Sequence, residues 1–160
     1  MLKLKWGYLL FIFLPAAFLY PVSILEVKSE RSNQIFIRKC VSPGDRFEFK
    51  YIHSVEKIQI SGFFLITSGG MIKPVETHFP SYGPGLPFMK EEVVLEKGMM
   101  KTRSEAEDLK QFSFFVSRMT KQFLVFKDKK IDFSSAKEGE IIKVKVKRYP
   151  LLGVFLKHGS

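Results

Sequence analysis

The stretch DRFEFKYIHSVE, from Asp45 to Glu56, alternates apolar and polar residues with a period of two. On an extended strand Phe47, Phe49, Tyr51, His53 and Val55 share one face, and Arg46, Glu48, Lys50, Ile52, Ser54 and Glu56 share the other. That alternation marks a strand with one face in a core and one in water. Glu140–Arg148 repeats it more cleanly, with Ile142, Val144 and Val146 against Lys143, Lys145 and Lys147. A lysine-lined face reads as solvated, and it discourages edge-to-edge pairing.

Further strand candidates lie on either side: Gln34–Lys39, Ile58–Thr67, Met71–Thr77, Val93–Glu96, Gln111–Ser117 and Gln122–Phe126. Turn chemistry separates them at Pro43-Gly44-Asp45, Ser68-Gly69-Gly70, Lys127-Asp128-Lys129 and Glu138-Gly139-Glu140. Short strands at intervals of about ten residues predict a mostly β, antiparallel domain, either a β-sandwich or a barrel-like closure. Residues 104–123 allow two readings. Ser104 and Glu107 fit a helix capping box, with Leu109, Phe112, Val116, Met119 and Phe123 at helical spacing. The alternation of Phe112, Phe114 and Val116 with Gln111, Ser113 and Ser117 favours a strand from Gln111 onward, after a short helical turn.

The chain has 160 residues, 46% of them hydrophobic and 17 of them Phe, which is enough apolar surface to order one domain without disulfides or metals. Of the formal charge of +10, most sits in the second part: residues 97–160 carry 15 Lys/Arg against 7 Asp/Glu, residues 1–96 only 11 against 9. Such a basic half can meet anionic headgroups or an acidic protein surface, or be a solvated face. No nucleic-acid-binding motif accompanies it, so nucleic acid is not an expected partner. Cys40 is the only cysteine, which excludes an internal disulfide and any multi-cysteine metal site. It reads as a small buried apolar residue.

Trp6 to Leu25, WGYLLFIFLPAAFLYPVSIL, is twenty residues without a charge. A helix of that length crosses a hydrocarbon layer of about 30 Å. Trp6, Tyr8 and Tyr20 lie near its ends, where amphipathic rings favour headgroups. The expected organisation is a signal-anchor or transmembrane helix over 1–25, a connecting segment with the first strand over 26–42, a β-rich domain over 43–152 and a C-terminal tail over 153–160. The rival readings of the apolar run are a cleaved signal peptide and a buried core helix. No Ala-x-Ala-like cleavage site follows the run, which favours the anchor.

Two polar clusters remain. Tyr51-Ile52-His53-Ser54-Val55-Glu56 ends a strong strand, where His53 would project opposite to Ser54 and Glu56, so these three form no catalytic triad. Phe79-Pro80-Ser81-Tyr82-Gly83-Pro84-Gly85-Leu86-Pro87 holds two glycines and three prolines in nine residues, which demands a particular loop path. His78 could approach His53, but two histidines make no metal site. No catalytic residue, metal or cofactor is expected.

Together these clusters resemble the bacterial and archaeal family known as domain of unknown function 1850. Tyr51, His53, Ser54, Val55 and Glu56 match its Tyr-x-His-Ser-Val-Glu strand, and Ser81, Tyr82, Gly83, Gly85, Leu86 and Pro87 match its Ser-aromatic-Gly-x-Gly-Leu-Pro loop. Gly98-Met99, Gly139 and Arg148-x-Pro150-Leu151-Leu152 resemble later features, so the likeness runs from about Pro43 to Leu152. Two departures stand out: Ser61 and Gly62 occupy the region where the family tends to carry an acidic residue, and Pro84 stands where it usually has Ala. Members are often encoded beside the membrane subunits of TAXI-type tripartite (TRAP) solute transporters. The resemblance therefore implies a non-enzymatic accessory domain facing the periplasm or exterior, on a single-pass anchor with a cytoplasmic N-terminus. Its partners would be the cytoplasmic membrane and the transporter's membrane subunits or solute-binding protein. Tyr51, His53, Ser54, Glu56, Ser81, Tyr82, Gly83, Gly85 and Pro87 would be its binding positions. The alternative is a small-solute or ion-binding module using the same strand and loop.

Lys3 and Lys5 precede the apolar run, whereas Lys28, Arg31, Arg38 and Lys39 follow it, so positive charge alone does not orient it. An alkaline-phosphatase fusion at the C-terminus is expected to be active and a fluorescent-protein fusion dark; cytoplasmic fluorescence would reverse this topology.

Overall fold

The computed structural model describes residues 21–80 and 93–150. They form eleven strands: β1 (Pro21–Ser29), β2 (Ile35–Val41), β3 (Arg46–Ile52), β4 (Gln59–Ile66), β5 (Ile72–Phe79), β6 (Val93–Glu96), β7 (Met99–Arg103), β8 (Phe112–Phe115), β9 (Phe123–Phe126), β10 (Lys129–Asp132) and β11 (Ile141–Pro150). Every pairing is antiparallel. One sheet runs β2-β1-β11-β8 and the other β10-β9-β3-β4-β5-β7-β6. The protein is mostly β, as the alternation predicts.

The two sheets share one core. Leu25, Val27, Ile142 and Val144 come from the four-stranded sheet, and Phe47, Phe49, Phe64, Ile66, Leu124 and Phe126 from the larger one. Phenylalanine rings form the seam between them. Phe49 of β3 lies 5.1 Å from Phe112 and 4.5 Å from Phe114 of β8, and Phe114 lies 5.1 Å from Phe133. Ring geometry adds about 0.5–1.5 kcal/mol per pair, whereas losing a buried Phe side chain costs about 3–5 kcal/mol. Burial therefore dominates the seam, and ring orientation refines it. Gly62 makes the close packing within the larger sheet workable: a Cβ there would lie 3.3 Å from the Phe64 ring.

Turns behave as their residues dictate. Lys127 and Asp128 both adopt positive φ, 47° and 62°, and join β9 to β10 as a two-residue turn. Lys97 and Gly98, at 50° and 77°, do the same between β6 and β7. This mirror-image geometry matches the twist of the flanking strands.

Four expectations need correction. Residues 21–25, expected as the end of a membrane helix, open β1, which lies between β2 and β11. Both faces of β1 are buried, so Ile24 and Leu25 stand side by side without alternation and extend the upstream apolar run. Residues 1–20 lie outside the described part, as does the expected tail over 153–160. Among the described residues no helix is long and apolar enough to cross a membrane. The segment over 26–42, expected to connect and to hold one strand, contains most of β1 and all of β2. Residues 104–108 form no helical turn: Ser104 Oγ accepts from the Ala106 amide at 3.2 Å, while Leu109 bridges to Ile72. Cys40 is exposed on edge strand β2.

The lysine face of β11 is also less solvated than its sequence suggests. Glu26 of β1 is fully buried, with Arg38 Nη2 at 2.7 Å from Oε2 and Lys147 Nζ at 2.6 Å from Oε1. The Lys147 contact is a close ion pair outside the angles of a directed hydrogen bond. Burial pushes the Glu26 carboxyl up, but Lys147 and Arg38 together outweigh it and hold it below the ordinary range.

A second buried carboxylate locks the sheet corner. Glu140 accepts from Ser29 Oγ, from the Ser32 amide at 3.0 Å and from the Lys137 amide at 3.1 Å. The Ser29 and Ser32 bonds lead in holding its pKa at about 2, against an ordinary 4.5. A depressed carboxyl stabilises the fold above its unfolded value and loses that contribution as pH falls through its folded value. Between pH 4.5 and about 2 the melting temperature is expected to fall more steeply for the wild type than for Glu140→Gln. Parallel profiles over that window would show that Glu140 does not carry this dependence.

Candidate functional site

The register gathers several strand ends at one end of the larger sheet. Tyr51 pairs with Ile60, Lys50 with Phe123 and Ser61 with His78, so β3 ends there, β4 and β9 begin there, and β5 ends beside them. β8 also ends at this side, where the Ile52 amide donates to the Thr120 carbonyl at 2.6 Å. That bond ties the β3–β4 hairpin to the segment between β8 and β9.

His53-Ser54-Val55-Glu56 does not continue the strand. β3 stops at Ile52, and the four residues open the six-residue hairpin loop, 53–58, into β4. The His53 amide donates to the Ile58 carbonyl at 2.8 Å, and the Lys57 amide to the His53 carbonyl at 3.0 Å, with Lys57 at φ 57°. His53 Nδ1 accepts from the Glu56 amide at 3.3 Å, which requires an unprotonated Nδ1. The expectation that His53 projects opposite to Ser54 and Glu56 is therefore overturned, because the backbone turns before the alternation can operate. Ser54 and Val55 are exposed at the tip, Val55 by 71%.

Tyr51 remains on the inner face, with its ring 5.8 Å from Phe49. Burial pushes its phenol above the ordinary value of 10.0. It lines a cleft of about 520 Å³ at this end of the domain, with Val116, Phe123, Phe133 and Ala136 as apolar wall. Arg118, Lys121 and Lys130 stand around it, accompanied by one carboxylate, Asp132. The Lys130 ammonium sits 4.1 Å from the centroid of the Phe123 ring. Asp132 Oδ1 accepts from the Ser134 amide at 2.6 Å, and the Ser134 hydroxyl, followed by that amide, holds its carboxyl below the ordinary range.

The structure thus brings Tyr51 to the cleft and leaves His53, Ser54 and Glu56 on the adjoining hairpin. Ser81, Tyr82, Gly83, Gly85 and Pro87 lie outside the described residues. His78 is on β5, with its ring 4.4 Å from Phe63 and Nε2 at 3.2 Å from Glu76 Oε2. Among the described residues no group of three His, Cys, Asp or Glu could hold a metal ion. Sequence reasoning missed Arg118, Lys121 and Lys130; their only signal was the basic excess of the C-terminal part, which did not say which lysines converge. Ser61, in the region where the family tends to be acidic, is buried between Lys50 and His78.

His53→Ala removes the acceptor that the Glu56 amide uses and is expected to destabilise the domain by about 0.5–1.5 kcal/mol. Urea denaturation measures this, and an unchanged midpoint would show that the bond contributes nothing.

No curated protein and no solved structure matches the chain. The family described as Domain of unknown function (DUF1850) matches residues 47–133, more than half of the chain. The match spans the Tyr51–Glu56 segment, residues 81–92 and the cleft strands β9 and β10. This chain belongs to that family.

Proposed function

We propose that this protein is a membrane-tethered, extracytoplasmic accessory domain of a TAXI-type tripartite solute transporter, and that it acts by binding rather than by catalysis. One observation carries the reading: the hairpin built from the family motif stands at the end of the domain opposite to Pro21. Pro21 pairs with Pro150, and Arg148 Nη2 donates to the Ser68 carbonyl at 2.7 Å, so both chain exits lie at the end where β4 finishes. The hairpin lies where β4 begins. At 3.3–3.4 Å per residue, the ten residues of β11 span about 30 Å between the two ends.

On this reading the tether is the part of the apolar run that precedes β1, which begins at Pro21. Twenty helical residues reach about 30 Å, the thickness of the hydrocarbon layer. Lys3 and Lys5 fall within such a length, and the proposal needs their aliphatic stems to reach the cytoplasmic headgroups. A domain held this way presents its far end, with Val55 exposed on the hairpin, to the transporter's membrane subunits or solute-binding protein. Tethering raises the effective concentration at that encounter without any new contact. The hydrogen bonding of the motif fits a binding role, since His53 Nδ1 is committed to the turn.

Affinity purification of the native protein from gently solubilised membranes is expected to retain a transporter subunit, and Val55→Glu to lose it while the β-sheet spectrum is unchanged. Absence of every subunit from the wild-type eluate, under conditions that preserve known complexes, would reject the proposal.

A further inference from the structure

We propose that the cleft beside Tyr51 is a binding site for a small amphipathic carboxylate, an acid with a compact aromatic or branched apolar body. Its volume of about 520 Å³ lies within the range of ligand pockets, roughly 300–1,000 Å³. Half-buried Tyr51 and Phe123 offer apolar surface, backed by buried Val116, Phe133 and Ala136, and such surface favours a hydrophobic ligand body over water.

Charge at the mouth selects the head group. Three cations border the cleft against one carboxylate, and that carboxylate is capped by the Ser134 amide. Lys121 has no ion-pair partner among the described residues. Lys130 is drawn over the Phe123 ring, which holds its ammonium at the edge of the apolar bed. Arg118 reaches Glu138 only at 3.9 Å, leaving its guanidinium available. The rim carries three cations against one carboxylate, so it favours an anion over a neutral ligand and repels a cation. An anion of one or two charges joined to an apolar body satisfies both halves. Gln122 takes no part: its amide oxygen accepts from the Ser117 amide and its nitrogen donates to the Phe115 carbonyl, which makes it a brace for the wall.

Carboxylate binding here does not depend on a transporter partner, and its test reads a different quantity. The full chain, in nanodiscs of zwitterionic lipid, is titrated with 2-naphthoate, 2-naphthylmethanol and 2-naphthylmethylammonium, with binding followed by ligand-observed NMR against empty nanodiscs. These probes share one body and differ in charge. Protein-dependent binding of the naphthoate at least ten-fold tighter than of the ammonium is expected. The double variant Lys121→Glu, Lys130→Glu should lose that preference by a similar factor while keeping the wild-type melting temperature. Should the double variant unfold, raising the salt concentration on the wild type serves instead, and it should weaken the naphthoate selectively. Equal binding of all three probes, or no protein-dependent binding, would overturn the proposal.

Discussion

The aromatic seam between the sheets is the constraint on which the rest of this structure depends. β8 is only four residues long and pairs with β11 alone, yet it carries Phe112 and Phe114 into contact with Phe49. Without that contact the two sheets would have little to register them against each other, because a flat apolar face can slide. Interlocked rings cannot slide without opening voids, and buried voids are costly. The seam also sets the end of the domain: Phe133, which closes the stack, forms part of the cleft wall. Core and site are therefore one construction.

Much of this was legible in the sequence where one face of a strand is wet. β3 and β11 announce themselves by alternation, and their inward residues are the ones predicted. Legibility failed where burial is two-sided or where a turn interrupts the pattern. β1 has Leu25 and Val27 toward the core and Ile24 and Glu26 buried on its other face, so it carries no period to read. The alternation through His53 and Val55 was fortuitous, because the chain leaves the strand at Ile52. Short strands β7 and β10 escaped notice, although the Lys127-Asp128 turn that precedes β10 was visible. The cleft was almost entirely hidden. Arg118 and Lys121 share the turn between β8 and β9, Lys130 lies on β10, and only the fold brings them to Tyr51.

Family membership and structure bear on different parts of the molecule. The Tyr51–Glu56 segment turns out to have a mainly architectural job in its centre and an exposed tip. His53 supports the turn, Tyr51 belongs to the inner face, and Val55 is exposed at the tip. A pattern shared across a family can thus mix residues that hold a loop with residues that stand exposed on it.

The pairing of β1 with β11 carries a mechanical consequence. Nine residue pairs hold the two strands antiparallel, and β2 grips β1 from the other side. Load applied at Pro21 and resisted at the hairpin end runs along the axis of β1. Inter-strand hydrogen bonds lie perpendicular to the strands, so such a pull shears the whole ladder at once instead of peeling it bond by bond. β1 is thereby secured along its whole length against a pull on Pro21.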